Sequence, residues 1–448
     1  MSDRPPTPVV EPSKSPPTAH ALRCLIRRVH FYAGILTAPF LAMLCLTGIA
    51  YVFTPQITDA LYAQELLVEP GPGAVRPLDA QVVAAVATQP DAALSSIKPA
   101  PAPDRATAVI LTPPGAPDGE DLAVYVDPYT AQVTGTLPHT HGEPPVQNWL
   151  RDFHGDLQLG TVGAVYSEFA ASWLPILFIG GIVLWVGKRR VRRRNLVIPT
   201  TARPGRRRIM NWHGSVGIWL TVALVFISLT GLTWSTYAGE RFQTVLTALD
   251  ARSPKLTAEV APPATGAPII SAGVAEKAGR AAGLQGPLTL TPPAEPGEPY
   301  TVRESSTTVP LHRDKIALDP YTGTVVESIR FADYPFLAKL STIGILAHTG
   351  TLFGLANQVA LTAMALGILA VIFWGFRMWW LRRPTRRDLR PLEGRGVLAS
   401  TPQTVLFAVV LGAVLLGWLL PVFGVSLALF LLVDTALGAL ARRRARTG

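Results

Sequence analysis

The sequence predicts a mostly α-helical membrane protein, with a four-helix transmembrane core, a C-terminal helical hairpin and two small α+β domains on the outer side of the membrane. Three observations predict it. Of 448 residues, 49% are hydrophobic and only 16% charged, and the apolar residues gather in long blocks. Lys and Arg cluster in short segments between those blocks. A set of landmark residues also recurs in the same order in the two halves of the chain.

Six apolar blocks qualify as helices: Val29–Phe53, Tyr166–Val186, Gly214–Ser235, Ala356–Leu381, Thr404–Leu420 and Val422–Leu437. The first four reach the roughly 20 residues that cross a hydrocarbon layer of ~30 Å. The last two are shorter and meet at Pro421–Gly424, as a tight hairpin or as one kinked helix. Charge chooses between these. Of 40 basic residues, 23 lie in Arg23–Arg28, Lys188–Arg208, Arg382–Arg395 and Arg442–Arg446. Short basic loops stay cytoplasmic, so all four clusters are on one side only if the last two blocks form a hairpin. Both termini are then cytoplasmic, and the +10 net charge reflects topology rather than nucleic-acid binding.

The predicted order is a disordered cytoplasmic tail (1–22), a first helix (23–54) and an outer domain (55–153). A second helix with a preceding His segment (154–187), a cytoplasmic basic loop (188–212) and a third helix (213–236) follow. Then come a second outer domain (237–347), a fourth helix with its His segment (348–381), a cytoplasmic loop (382–403) and the hairpin (404–441). Each outer stretch contains a helical segment, Asp79–Thr88 or Ile269–Gly283. Short β-branched runs follow at Thr107–Thr112 and Ala123–Val126, and at Leu288–Thr291 and Lys315–Leu318. The first helix is too long for a signal-peptide core and is retained. Cys24 and Cys45 sit on or beside it and cannot bridge each other, and the absence of Cys-x-x-Cys-His excludes covalently attached haem.

The repeat is specific. His30 and His213 are each followed by a glycine four residues on, Gly34 and Gly217, and by Thr-Gly at Thr47-Gly48 and Thr230-Gly231. Asp127-Pro128-Tyr129-Thr130 matches Asp319-Pro320-Tyr321-Thr322, and His154 matches His348, each 34 residues before a basic cluster. His30 and His213 begin outward-running helices at the cytoplasmic boundary, while His154 and His348 precede inward-running helices on the outer side. Two histidines from different helices at one depth are what a bis-imidazole haem requires. One pair near each face would hold two haems across the bilayer, with His30, His154, His213 and His348 as axial ligands of the iron.

Gly34 and Gly217 would leave room for a porphyrin plane. Arg27, Arg28 and Arg206–Arg208 would meet propionates, and Trp149, Trp173, Trp185 and Trp212 would line the pocket. Each histidine alone reads as an interfacial residue bonded to backbone or lipid; it is the matched placement of four that favours ligation. His139 and His141 fit a solvated loop better than a metal or substrate site. Asp434 and Glu168 are intramembrane carboxylates that need partners, Asp434 serving packing or proton relay equally well. Thirty-four residues of helix would span about 51 Å, so the second and fourth helices either project beyond the membrane or break near Leu159–Gly163 and Gly354–Asn357. No dinucleotide, P-loop or zinc-protease motif occurs, so electrons would have to come from another molecule.

Arg28-Val29-His30, Phe153-His154-Gly155-Asp156-Leu157, Trp212-His213, the two Leu-Thr-Gly and Asp-Pro-Tyr-Thr motifs and His348-Thr349-Gly350 carry a resemblance over residues 23–383. The chain resembles the PepSY-associated transmembrane family, which includes iron-uptake-associated membrane proteins and ferric-siderophore reductases. The resemblance implies PepSY-type domains in the periplasm at 55–153 and 237–347. For the reductase branch it implies b-type haem on His30, His154, His213 and His348. Ala131 stands where the second copy has Gly323, which leaves the type of the first turn open.

The function expected is haem-dependent reduction of a ferric siderophore or other Fe(III) chelate, fed by a flavoprotein or quinol, in a bacterial inner membrane and in contact with its lipid. The alternative is a non-enzymatic PepSY scaffold that binds a partner or restrains an extracytoplasmic peptidase.

Overall fold

The computed structural model describes residues 17–71, 73–187, 197–199, 205–261, 267–382 and 403–447. Most of the tail, much of the two basic loops and the side chains of Arg442–Arg446 lie outside the described residues. The chain divides into two compact units. One comprises residues 1–42, 165–241 and 367–448, and the other residues 43–164 and 242–366.

Four helices are long and apolar enough to cross a membrane: Leu22–Val52, Gly160–Val186, Arg206–Leu232 and Leu355–Trp380. They belong to α1 (Pro17–Val52), α6 (Gly160–Val186), α7 (Arg206–Leu232) and α11 (Leu355–Trp380). The first and third begin earlier than the apolar blocks because arginine-rich turns propagate helix as readily as apolar ones. His30 and His213 therefore lie inside their helices rather than at the start.

In the first unit α12 (Gln403–Leu419) and α13 (Pro421–Thr447) form the hairpin. A Cβ on Gly424 would fall 2.6 Å from the Cα of Gly417. In one continuous helix those residues would be about 10 Å apart along the axis, so the chain reverses between them. Helix α13 anchors on α1 and α6. Arg28 and Asp434 form an ion pair at 2.9 Å, and Arg28 is 3% exposed. Trp173 donates its indole N–H to Ser426 Oγ at 2.8 Å and packs edge-on against Phe423. Asp434 thus has the partner that an intramembrane carboxylate needs. Glu168, 2% exposed, accepts the backbone N–H groups of Tyr237 and Ala238 at 2.9 and 3.0 Å. It neutralises orphan donors in the first turn of α8 (Thr236–Ala248).

In the second unit, α2 (Thr54–Leu61), α3 (Ala63–Leu66) and α4 (Leu78–Val86) precede β1 (Ala93–Lys98), β2 (Thr107–Thr112), β3 (Glu120–Val126) and β4 (Val133–Thr140). The second half supplies α9 (Ala272–Ala281), then β5 (Leu288–Thr291), β6 (Tyr300–Glu304), β7 (Lys315–Leu318) and β8 (Val325–Ile329). Each half is an antiparallel meander, as expected. The expectation of two separate small domains is corrected. All eight strands form one sheet in the order β4-β3-β2-β1-β5-β6-β7-β8, joined antiparallel at Ile97 and Leu290. Two exposed edges, each a row of unpaired backbone groups, satisfy each other there.

One core serves both halves: Ile97, Val109 and Val124 from the first and Leu290, Val302 and Ile316 from the second are fully buried on one face. Helices α4 and α9 cover that face with small residues, Ala85 and Ala275. Asp79 of α4 accepts from Ser271 Oγ and the Gly273 N–H, both at 2.8 Å, which ties the halves together again. On the opposite face Ala108, Ile110, Ala123, Tyr125 and Leu137 pack under Tyr62, Leu66 and Val68.

The Asp-Pro-Tyr-Thr turns are the same in both copies. Asp127 and Asp319 accept the N–H two residues on at 2.8 Å, and Ala131 and Gly323 both have positive φ, 58° and 73°. The turn type is conserved across the Ala/Gly difference. The long His segments break, slightly ahead of the expected places. Helix α5 (Pro145–Asp156) ends in Leu157 and Gln158 with φ 57° and 59°, before α6 begins at Gly160. Likewise α10 (Phe336–His348) ends before Gly350, φ 84°, and α11 starts at Leu355.

Candidate metal centres

His30 of α1 and His213 of α7 face each other in the first unit, with ring centroids 6.3 Å apart and planes 89° apart. His30 Nδ1 lies 2.8 Å from the carbonyl of Leu177, and His213 Nδ1 lies 3.0 Å from the carbonyl of Val371. A carbonyl only accepts, so each Nδ1 carries the proton and each Nε2 keeps its lone pair. Two glycines make the approach possible. A Cβ on Gly181, one turn past Leu177, would stand 3.2 Å from His30 Cε1, and one on Gly375, one turn past Val371, would stand 3.7 Å from His213 Cε1. Leu177 and Val371, Gly181 and Gly375, and His154 and His348 are all 194 residues apart. That recurrence is written in the sequence itself.

A cavity of about 970 Å³ opens on this pair. Gly34 and Gly217 line it as expected; a Cβ on Gly217 would meet nothing within 4 Å, and one on Gly34 only Leu177 at 3.9 Å. Arg27, Arg28 and Arg206 line it, together with Arg23 and Arg382, whereas Arg207 and Arg208 do not. The Nε atoms of Arg28 and Arg206 are buried without a hydrogen-bond acceptor among the described residues. Of the four tryptophans expected here only Trp185 reaches the cavity. Trp212 packs on Trp374, Trp173 faces Phe423, and Trp149 is exposed in the second unit, stacked on Phe153.

The second pair lies in the second unit. His154, in the last turn of α5, and His348, the last residue of α10, have ring centroids 6.5 Å apart and planes 65° apart. His154 Nδ1 is 2.9 Å from Thr47 Oγ1, and the Thr47 hydroxyl donates to the Met43 carbonyl at 2.9 Å. The threonine proton being committed, its oxygen accepts from His154, and here too Nδ1 bears the hydrogen. Gly48 clears the space: a Cβ there would sit 3.2 Å from His154 Cε1. The first Thr-Gly motif thus orients and admits one imidazole. Tyr51 lies nearly parallel to His154, 15° between planes. His154 keeps some open surface, yet enough protein surrounds it that desolvation pushes its pKa down to about 4. The ring is neutral at physiological pH, the form a metal ligand needs.

Among the described residues no cluster of three or more His, Cys, Asp or Glu is placed to hold a bare metal ion. Two imidazoles fit a metal whose other four ligands come from a planar macrocycle. With metal–nitrogen bonds of about 2.0 Å, and roughly 1.2 Å from nitrogen to ring centre, such an arrangement spaces the centroids about 6.4 Å apart. Both pairs meet that spacing. At the first, the glycine-lined void and the orphaned guanidinium donors also suit a flat, carboxylate-bearing group.

The PepSY-associated TM region profile matches residues 27–382. The chain belongs to this family. All four histidines and both Thr-Gly motifs fall within the PepSY-associated segment, and the apolar helices make the protein a multi-pass membrane protein. No curated protein matches the sequence.

The expectation of a solvated loop holds for His141, which is exposed in a turn, and is corrected for His139. His139 lies on β4, 4% exposed, with Nε2 at 3.0 Å from the Tyr125 hydroxyl, and not in a solvated loop. Burial, with Lys98 nearby, lowers its pKa to about 4. His141 occupies the following turn with φ 54°.

Proposed function

We propose that this protein transfers electrons through two b-type haems, one on His30 and His213 and one on His154 and His348, to a ferric siderophore or similar Fe(III) chelate. One observation carries the reading: in both units a pair of imidazoles from different helices stands at bis-ligand spacing. At least three of the four rings are held with Nε2 unprotonated. Bound haem would supply a one-electron Fe(III)/Fe(II) couple.

The chain's residues do the rest. The Leu177 and Val371 carbonyls and the Thr47 hydroxyl hold protons on Nδ1, which fixes each ring's orientation and raises the basicity of Nε2. Arg28 and Arg206 would donate to carboxylates of the bound group. In this reading the two α+β halves are PepSY-like and periplasmic, and both termini are cytoplasmic. A flavoprotein or quinol supplies the electrons. Reduction weakens a hard-oxygen chelator's grip on the iron and releases it for import.

The test is the absorption spectrum and haem content of the purified chain and its four His→Ala variants. Two haems per chain are expected, with one lost from each variant. A colourless protein that takes up no added haem, and whose cellular role survives His30→Ala and His213→Ala, would be a non-enzymatic PepSY scaffold instead.

A further inference from the structure

The face of the eight-stranded sheet opposite the α4 and α9 core carries a row of cations. Strand register sets the row. Ile97 pairs with Leu290 and Leu290 with Val302, all in the core, so Lys98, Thr289, Arg303 and Lys315 point to the other side. Arg303 pairs directly with Lys315 across β6 and β7. Like charges placed opposite each other on neighbouring strands destabilise a sheet; Asp121 and Glu143 lie within electrostatic reach of Lys98 and Glu327 within reach of Lys315, and none forms an ion pair with the row.

Lys315 has local partners, the Pro254 carbonyl and the Tyr334 ring. Lys98 and Arg303 have none: among the described residues neither side chain donates a hydrogen bond or makes an ion pair, although Lys98 is half-buried. Burial and the charge of Arg303 lower the Lys98 pKa. Arg313, at the start of the same loop-to-strand segment, leaves its Nε buried and unpartnered. The cluster also adjoins the helix bearing His154. Lys98 lies within electrostatic reach of His139 on β4 and of Glu143. Glu143 pairs with Arg151 at 2.5 Å, and Arg151 is one turn before His154 on α5.

We infer that Lys98 and Arg303, backed by Arg313 and Lys315, form a binding site for a carboxylate-rich anionic Fe(III) chelate on the sheet face beside the His154 helix. This rests on the reductase reading and adds the substrate's charge class and its docking residues. An anion here would relieve the cation–cation repulsion and satisfy donors that the fold leaves open.

The experiment uses the full chain in detergent and two redox-inert gallium probes: anionic Ga(III)–citrate and neutral tris(maltolato)gallium. Binding is followed by titration calorimetry. Lys98→Met and Arg303→Met should each weaken Ga(III)–citrate about tenfold, as loss of a charge-assisted contact does, and leave the maltol complex unaffected. Lys98→Arg should retain citrate binding. The inference is overturned if wild type does not bind Ga(III)–citrate, if the double variant binds it unchanged, or if both probes weaken alike.

Two other anion sources are separated in parallel. Loss of affinity for phosphatidylglycerol vesicles with citrate binding intact would assign the row to lipid. Loss of haem with citrate binding intact would assign it to propionates. Either result overturns the inference. A haem-free chain that still binds Ga(III)–citrate through Lys98 would sink the electron-transfer reading and leave this site standing.

Discussion

Thr47→Val isolates the contact that orients the second histidine pair. The substitution keeps the β-branched shape of α1 but removes the oxygen that accepts from His154 Nδ1 at 2.9 Å. The Nδ1–H then loses its acceptor. Leaving a buried donor unsatisfied costs about 1–3 kcal/mol. The ring can avoid that cost by moving its proton to Nε2, the atom that would face the metal in the proposed site. A tautomer shift of this kind turns a ligand into a donor pointed at a cation. Loss of such supporting contacts typically weakens metal sites by 10–100-fold.

The assay is haem retention during gel filtration and a spectrophotometric redox titration, with Thr47→Ser as the rescue. Thr47→Val should lose or shift one of two haem midpoints while the other stays put, and Thr47→Ser should restore it. Identical haem content and midpoints in wild type and Thr47→Val would refute the orienting role of the threonine. An equal disturbance of both midpoints would point to misfolding instead, and a thermal melt run beside it tells these apart.

Three further outcomes are expected. Gly181→Ala should impair the first pair, because its Cβ would press His30 at 3.2 Å, whereas Gly375→Ala, with 3.7 Å to His213, should be tolerated; haem content of the two variants checks the asymmetry. Asp434→Ala should lower thermal stability in detergent by roughly 3–5 kcal/mol, since it strands a buried Arg28, and the double change Arg28→Met with Asp434→Leu should recover most of that. For His139 the folded pKa of about 4 lies below the ordinary 6.5. Between pH 6.5 and 4 the unfolded chain therefore takes up the proton first and stability falls with pH; denaturation midpoints should decline over that window, and His139→Gln should flatten the slope.

The sequence was most legible where local pattern and topology coincide. Thr107–Thr112, Leu288–Thr291 and Lys315–Leu318 are strands with those bounds, since each is a short run of apolar and β-branched residues buried on both faces of the sheet. The joining strand was not legible. Residues 93–98, Ala-Leu-Ser-Ser-Ile-Lys, bury Ile97 completely and bulge between Leu94 and Ser96, so their alternation is broken where the two halves meet. The four histidines were legible because each recurs among the same landmarks in both halves of the chain. Two of the groups that orient them, the carbonyls of Leu177 and Val371, belong to the backbone and carry no residue signature. What marks those carbonyls is the glycine one turn later, which lets an imidazole come close enough to reach them. Gly181 and Gly375 repeat with the interval of His154 and His348, so the repeat encodes the orienting contact through an absence of side chain. In the second pair the same task falls to Thr47 and Gly48, a side chain and a gap together, and only that version is written as a motif.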